Sequence, residues 1–152
     1  PLLAEISWAA ADFDQVAAVQ TSREERAAAC GSPVLVCDTD AFATSVWERR
    51  YLGDQARGLQ PWATALLPRR DVYLLTCDAG VPWHDDGLRE GDLAVRSAMT
   101  GWFADALTAA GHSWVPLAGS LADRMAIAMR VTDDLLAQRM SFGPAITEDV
   151  LV

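Results

Sequence analysis

Three short apolar runs punctuate the chain, at residues 33–37, 71–77 and 112–117, and each is followed by a stretch with helical period. Continuous apolar runs of about five residues suit strands covered on both faces, which is the condition of a parallel sheet. The first helical stretch, residues 12–29, places Phe13, Val16, Ala17 and Gln20 on one side, with Gly31 positioned to stop it. The second runs from Phe42 through Val46 and Trp47 to about Leu52, with Gly53 behind it, and Pro61 opens a further short helix over residues 61–67. Residues 91–110 carry Met99, Trp102, Phe103, Ala106, Leu107 and Ala110 at steps of three and four. Ser120 with Asp123 resembles a capping box that opens a last helix through Met125, Met129, Leu135 and Leu136, ended by Gly143-Pro144. Alternating strands and helices predict an α/β fold, with right-handed crossovers and helices on both faces of a parallel sheet. Pro116 cannot donate to a ladder, so the third strand is expected near a sheet edge. The methionines and tryptophans of the last two helices are expected in the core.

Composition removes several classes of function. The 152 residues fit one domain, and no apolar run approaches the roughly 20 residues that span a bilayer. Twelve basic residues against twenty-one acidic ones leave a net charge of −9, which argues against nucleic acid as a partner. All twelve basic residues are arginine. Without lysine the chain supplies neither Schiff-base chemistry nor the lysine of a phosphate-cradling loop. Cys30, Cys37 and Cys77 are odd in number and two lie in apolar runs, which predicts buried reduced thiols in a cytoplasmic protein. No signal-peptide pattern follows Pro1.

In open parallel sheets ligands bind outside the carboxyl ends of the strands. That rule gathers residues 38–40, 78–89 and 118–120 on one rim. Asp38 closes the first apolar run, and Asp40 follows two residues later. A carboxylate on a rigid strand end suits a hard cation or a proton acceptor, and a second acid beside it suits sugar hydroxyls. The competing reading is a turn acid that caps the next helix near its positive end. After the second run comes VPWHDDGLRE, residues 81–90, which gathers Trp83, Asp85, Asp86 and Arg89 where solvated loops use smaller residues. Trp83 is alternatively a lid on the core, and Arg89 and Arg96 are alternatively surface partners of Glu90 and Asp92.

Taken together, VLVCDTDAFATSVW, then DVYLLTCDAGVPWHDDGLRE, then a helix containing Arg96 resemble a known family in order and spacing. It is the ribosylnicotinamide kinase domain of the bacterial NAD-biosynthesis regulators, with related P-loop ATPase-like proteins, and the resemblance covers about residues 12–135. It implies a P-loop NTPase-like three-layer α/β/α fold and phosphoryl transfer from ATP, with Mg²⁺, to the ribose hydroxyl of nicotinamide riboside. By position, Asp38 would act on Mg²⁺ or the substrate hydroxyl, Asp40 would contact ribose, and Thr44 would lie on the substrate side. Trp83 would stack on the cationic pyridinium ring, with Asp86 nearby. Arg89 and Arg96 would belong to the lid that neutralises the transferring phosphoryl, and the loop from Ala118 to Arg124 would lie beside adenine.

Such kinases carry G-x-x-x-x-G-K-[ST] after their first strand, and this sequence has none. The resemblance therefore implies amino-terminal strands and a phosphate loop lying before Pro1. It also implies little kinase activity from these residues alone, since losing one preorganised donor costs about 3 kcal/mol. A sheet edge left open there would invite pairing with another copy. His84 stands where that family has an apolar residue. His84-Asp85 also resembles the HD pair of metal-dependent phosphohydrolases, but that site needs further histidines and only His112 remains. Cysteine–histidine catalysis needs an accessible thiol, whereas Cys37 and Cys77 are expected to face inward. The remaining class is a non-catalytic nucleotide- or riboside-binding regulatory module.

Overall fold

A computed structural model describes residues 7–58, 70–82 and 92–140. Helix α1, Ala10–Ala28, starts where Asp12 Oδ2 accepts from the Ala9 N–H at 2.8 Å, an acid set at the positive end of the helix. It buries Phe13 and Ala17 as expected, but Val16 is 49% exposed. Helix α2, Ala41–Leu52, begins at Asp40, whose Oδ1 accepts from the Ala43 N–H at 3.1 Å. Its first six residues are all buried, and Gly53 ends it at φ +54°, leading into a 3₁₀ turn, Gly53–Gln55. The helix expected over 61–67 lies outside the described residues.

Strand β1, Tyr73–Thr76, and strand β2, Trp114–Leu117, pair in parallel, with Leu75 opposite Pro116. Helix α3, Leu93–Ala109, connects them, capped by Asp92 Oδ1, which accepts from the N–H groups of Ala94 and Val95 at 2.8 and 3.1 Å. Helix α4, Leu121–Arg139, opens on the capping box read from the sequence: Ser120 Oγ accepts from the Asp123 N–H at 3.2 Å, and Asp123 Oδ2 accepts from the Ser120 N–H at 2.9 Å. The architecture is α/β with a parallel sheet and a β1–α3–β2 unit, consistent with a P-loop NTPase-like α/β/α fold. Among the described residues no helix is long and apolar enough to cross a membrane.

Three expectations are corrected. Residues 33–37 form no ladder, and Val36 is 80% exposed. A strand exists through its neighbours' hydrogen bonds, and among the described residues β1 and β2 pair only with each other. The methionines of α4 are not core: Met125 and Met129 are 52% and 60% exposed, because α4 packs against β2 and buries no residue fully. Met99 of α3 is buried, as expected. The core instead lies where α1 packs on α2 and α2 on α3, with Phe42, Leu107 and Glu48 its largest fully buried side chains. Arg49 of α2 also covers the Trp102 ring of α3 at 4.6 Å. The three cysteines are free, but Cys30 is exposed and Cys37 and Cys77 are only half-buried.

Candidate functional site

A cavity of about 950 Å³ runs along β1 and past its carboxyl end, and Asp38, Asp40, Thr44, Arg96 and Arg124 all line it. Asp78, the acid that follows β1, lines it too. Asp38 is exposed and Thr44 is buried on the first turn of α2. Arg124 is held in place by two carbonyls, with Nε donating to Gly119 O at 2.9 Å and Nη2 to Ala79 O at 2.8 Å. Those carbonyls belong to the loops after β2 and β1, so one side chain ties the two loops together. Ala118 is exposed and is not part of the cavity wall. Trp83, Asp86 and Arg89 lie outside the described residues, as do His84 and Asp85.

Beneath the rim, Asp40 is a buried hub. Besides capping α2, its Oδ2 accepts from Tyr73 Oη at 2.8 Å and from Arg70 Nε at 3.3 Å. Arg70 also pairs with Glu24 of α1, which is buried. Gln20 completes the link, donating to Glu24 Oε1 at 2.9 Å and to the Thr39 carbonyl at 3.0 Å. Burial opposes the Arg70 charge, yet Glu24 and then Asp40 hold its pKa above the usual arginine range. Burial, reinforced by Asp40, raises the Tyr73 hydroxyl well above the ordinary phenol value. The Cys37 thiol is likewise pushed up, by burial first and by Glu24 second, which makes it a poor nucleophile near neutrality. The capping role weighed for Asp40 is thus present, and its carboxylate already accepts three hydrogen bonds.

Sequence reasoning did not find Glu24, Arg70 and Tyr73 as a unit. Their pairing spans 46 residues between Arg70 and Glu24 and 33 between Tyr73 and Asp40, separations that no local period records. It also missed an aromatic wall: Trp8, Phe13, Trp47 and Tyr51 line the cavity, with ring centroids 5.3 Å apart for Trp8 and Phe13 and 5.5 Å for Trp8 and Tyr51. Trp8 Nε1 is buried and has no hydrogen-bond partner among the described residues. His112, the remaining histidine of the metal reading, packs edge-on against Phe42 at 5.1 Å. Among the described residues no three His, Cys, Asp or Glu side chains converge as metal ligands.

No curated protein and no solved structure matches the chain significantly. A family model described as an AAA domain matches residues 4–124, well over half of the sequence, from α1 through both strands to the arginine that joins the two loops. On that match the chain belongs to the AAA domain family, a nucleotide-binding P-loop family.

Proposed function

We propose that the cavity takes a nucleoside, with ATP at its rim, and serves phosphoryl transfer to a ribose hydroxyl, nicotinamide riboside being the acceptor. One observation carries the reading: Asp38, Asp40 and Thr44 at the start of α2, Arg96 of α3 and Arg124 of α4 line the same cavity, about 950 Å³ in volume. Ligand pockets run from about 300 to 1,000 Å³. Asp38, exposed at the wall, takes the proton of the ribose hydroxyl as that oxygen attacks the γ-phosphorus and ADP leaves. A carboxylate offers about four acceptor positions, so Asp40, with three used, keeps one for a ribose hydroxyl. Arg96 and Arg124 offset the charge of the phosphates. Trp83 and Asp86 are assigned to the pyridinium ring, Arg89 to the lid over ATP, and Ala118 to the loop beside adenine.

Asp38 and Asp78 suit Mg²⁺, which is typically held by one or two carboxylates plus waters and substrate phosphates and needs no cluster of three protein ligands. Asp38 and Asp78 would hold it, and the chemistry it would supply is offsetting the charge of the phosphates. The sequence holds no lysine and no G-x-x-x-x-G-K-[ST] loop, so turnover by these residues alone is expected to be slight. That same feature favours a second reading, a regulatory module that binds riboside or nucleotide without turnover.

The test is calorimetric titration with nicotinamide riboside and with ATP-Mg²⁺, alongside an assay of riboside phosphorylation. Trp83→Ala is expected to weaken riboside binding about tenfold, the size of a partly desolvated cation–π contact. Arg96→Ala is expected to weaken ATP-Mg²⁺ and leave the riboside unaffected. Binding without phosphorylation selects the module, and failure of both ligands to bind refutes both readings.

A further inference from the structure

Past the rung where the Cys77 N–H donates to the Leu117 carbonyl at 3.1 Å, the loops after β1 and β2 are joined through Arg124. The first of these loops opens with a turn. The Val81 N–H donates to the Asp78 carbonyl at 3.1 Å, and Gly80 sits at φ +74° while Ala79 stays outside the positive region. A positive φ at the third residue alone makes the turn type II. Its central peptide, between Ala79 and Gly80, is turned over relative to type I, which reverses the direction of the Ala79 carbonyl. In this direction the carbonyl meets Arg124 Nη2 at 2.8 Å, while the Gly119 carbonyl meets Arg124 Nε at 2.9 Å.

Nε and Nη2 share one edge of the planar guanidinium, and main-chain carbonyls hold both. Nη1 and the second N–H of Nη2 form the other edge. Among the described residues no carboxylate pairs with Arg124, which is half-buried and lines the cavity. A cation fixed by neutral groups along one edge, with two parallel donors on the next, is arranged for an anion that offers two oxygens side by side, as a phosphate does.

We propose that Gly80 is a positioning residue for phosphate recognition: its positive φ presents the Ala79 carbonyl to Arg124, and that carbonyl with the Gly119 carbonyl turns the other edge of the guanidinium toward a phosphate of ATP, which accepts two parallel hydrogen bonds. The inference rests on the nucleotide reading above and deepens it, because Arg124 then acts by direction as well as by charge. Alanine at this turn isolates the effect. A Cβ on Gly80 would meet nothing within 4 Å, so the objection to it is the backbone angle alone. Turning the central peptide over to the type I form relieves that strain and takes the carbonyl away from Arg124. Asparagine tolerates the positive φ and keeps the carbonyl where it is.

The experiment is calorimetric titration of ATP-Mg²⁺ into the full chain and into Gly80→Ala, Gly80→Asn, Arg124→Lys, Arg124→Ala and the Gly80→Ala/Arg124→Ala pair. Gly80→Ala is expected to weaken ATP-Mg²⁺ about tenfold, the size of one hydrogen bond to a charged group, and Gly80→Asn by less than about threefold. Arg124→Lys keeps the charge without the fork and is expected to lose about tenfold as well. In the Arg124→Ala background Gly80→Ala is expected to cost nothing further, since both changes act on one contact. Unchanged affinity in Gly80→Ala, equal losses for alanine and asparagine, or a loss that adds to that of Arg124→Ala overturns the proposal. Should Gly80→Ala fail to fold, Arg124→Lys decides, and full affinity there overturns the proposal because charge alone then suffices. Failure of the unmodified chain to bind ATP-Mg²⁺ refutes the nucleotide reading and this inference with it, whereas the other adverse outcomes leave that reading standing.

Discussion

Replacing Arg57 by alanine tests whether one buried charge holds α1 against α2. Glu48 is fully buried, and both its carboxylate oxygens are occupied by Arg57. Oε1 accepts from the backbone N–H at 3.0 Å and from Nε at 2.9 Å, and Oε2 accepts from Nη2 at 2.9 Å. The same guanidinium reaches α1, donating to Asp14 at 3.0 and 2.8 Å and to the Ala10 carbonyl at 2.9 Å. The two halves are unequal. Asp14 is 45% exposed, and such a pair is worth less than about 1 kcal/mol. Stripping a buried carboxylate of its partner costs about 3–5 kcal/mol. In a domain of this size 1 kcal/mol shifts Tm by roughly 2–4 °C. Arg57→Ala should therefore lower Tm by about 6–20 °C, and Asp14→Ala by no more than about 4 °C.

The pH dependence carries a sign. The Arg57 hydrogen bonds hold the Glu48 carboxyl below its ordinary 4.5. The pair's stabilisation is thus complete above that ordinary value and lost as pH falls through the lowered one. In Arg57→Ala the carboxylate is buried without a counter-charge, which raises its pKa. The gap between variant and parent should then be largest near neutrality and shrink on acidification. Thermal unfolding by circular dichroism at about pH 7 and about pH 4.5 reads both effects. Equal losses for Arg57→Ala and Asp14→Ala, or a gap that ignores pH, would refute the reasoning.

Other substitutions have equally definite outcomes. Gly119 sits at φ +89°, and a Cβ there would come within 2.9 Å of Asp123 Oδ2; Gly119→Ala should cost about 1–3 kcal/mol in urea denaturation, and an unchanged midpoint would defeat the account. Tyr73→Phe removes the donor to Asp40 Oδ2 and should cost about 1.5–3 kcal/mol, a bond to a charged acceptor, checked by the same denaturation. Where turnover is measurable, Asp38→Asn should abolish it while riboside affinity stays within a few-fold; retained turnover removes Asp38 from the chemistry.

The sequence carried the element order well because periodicity and caps are local. Asp40, Gly53 and the Ser120–Asp123 box mark helix ends close to where they occur. Pro116 agrees with β2's place among the described residues, where it pairs with β1 alone. The run at 33–37 misled because apolar character describes what a strand needs on its faces and is silent about what bonds to its edges. Met125 and Met129 misled for a related reason: a helical stripe reports amphipathicity, not the presence of a layer to cover it. The Arg57 clamp and the Asp40 hub were invisible because each depends on side chains that meet only after α1, α2 and β1 have packed.

A proline in β2 also governs what can join that strand from its far side. Repeated edge-to-edge joining, the route to ribbons and fibrils, requires two competent margins on every subunit. Pro116 lies opposite Leu75 in the β1–β2 register and has no N–H for a strand arriving on the far side of β2, so joining there would lack one ladder bond. Restoring a donor with Pro116→Val would supply that bond and make edge-to-edge joining at this side easier.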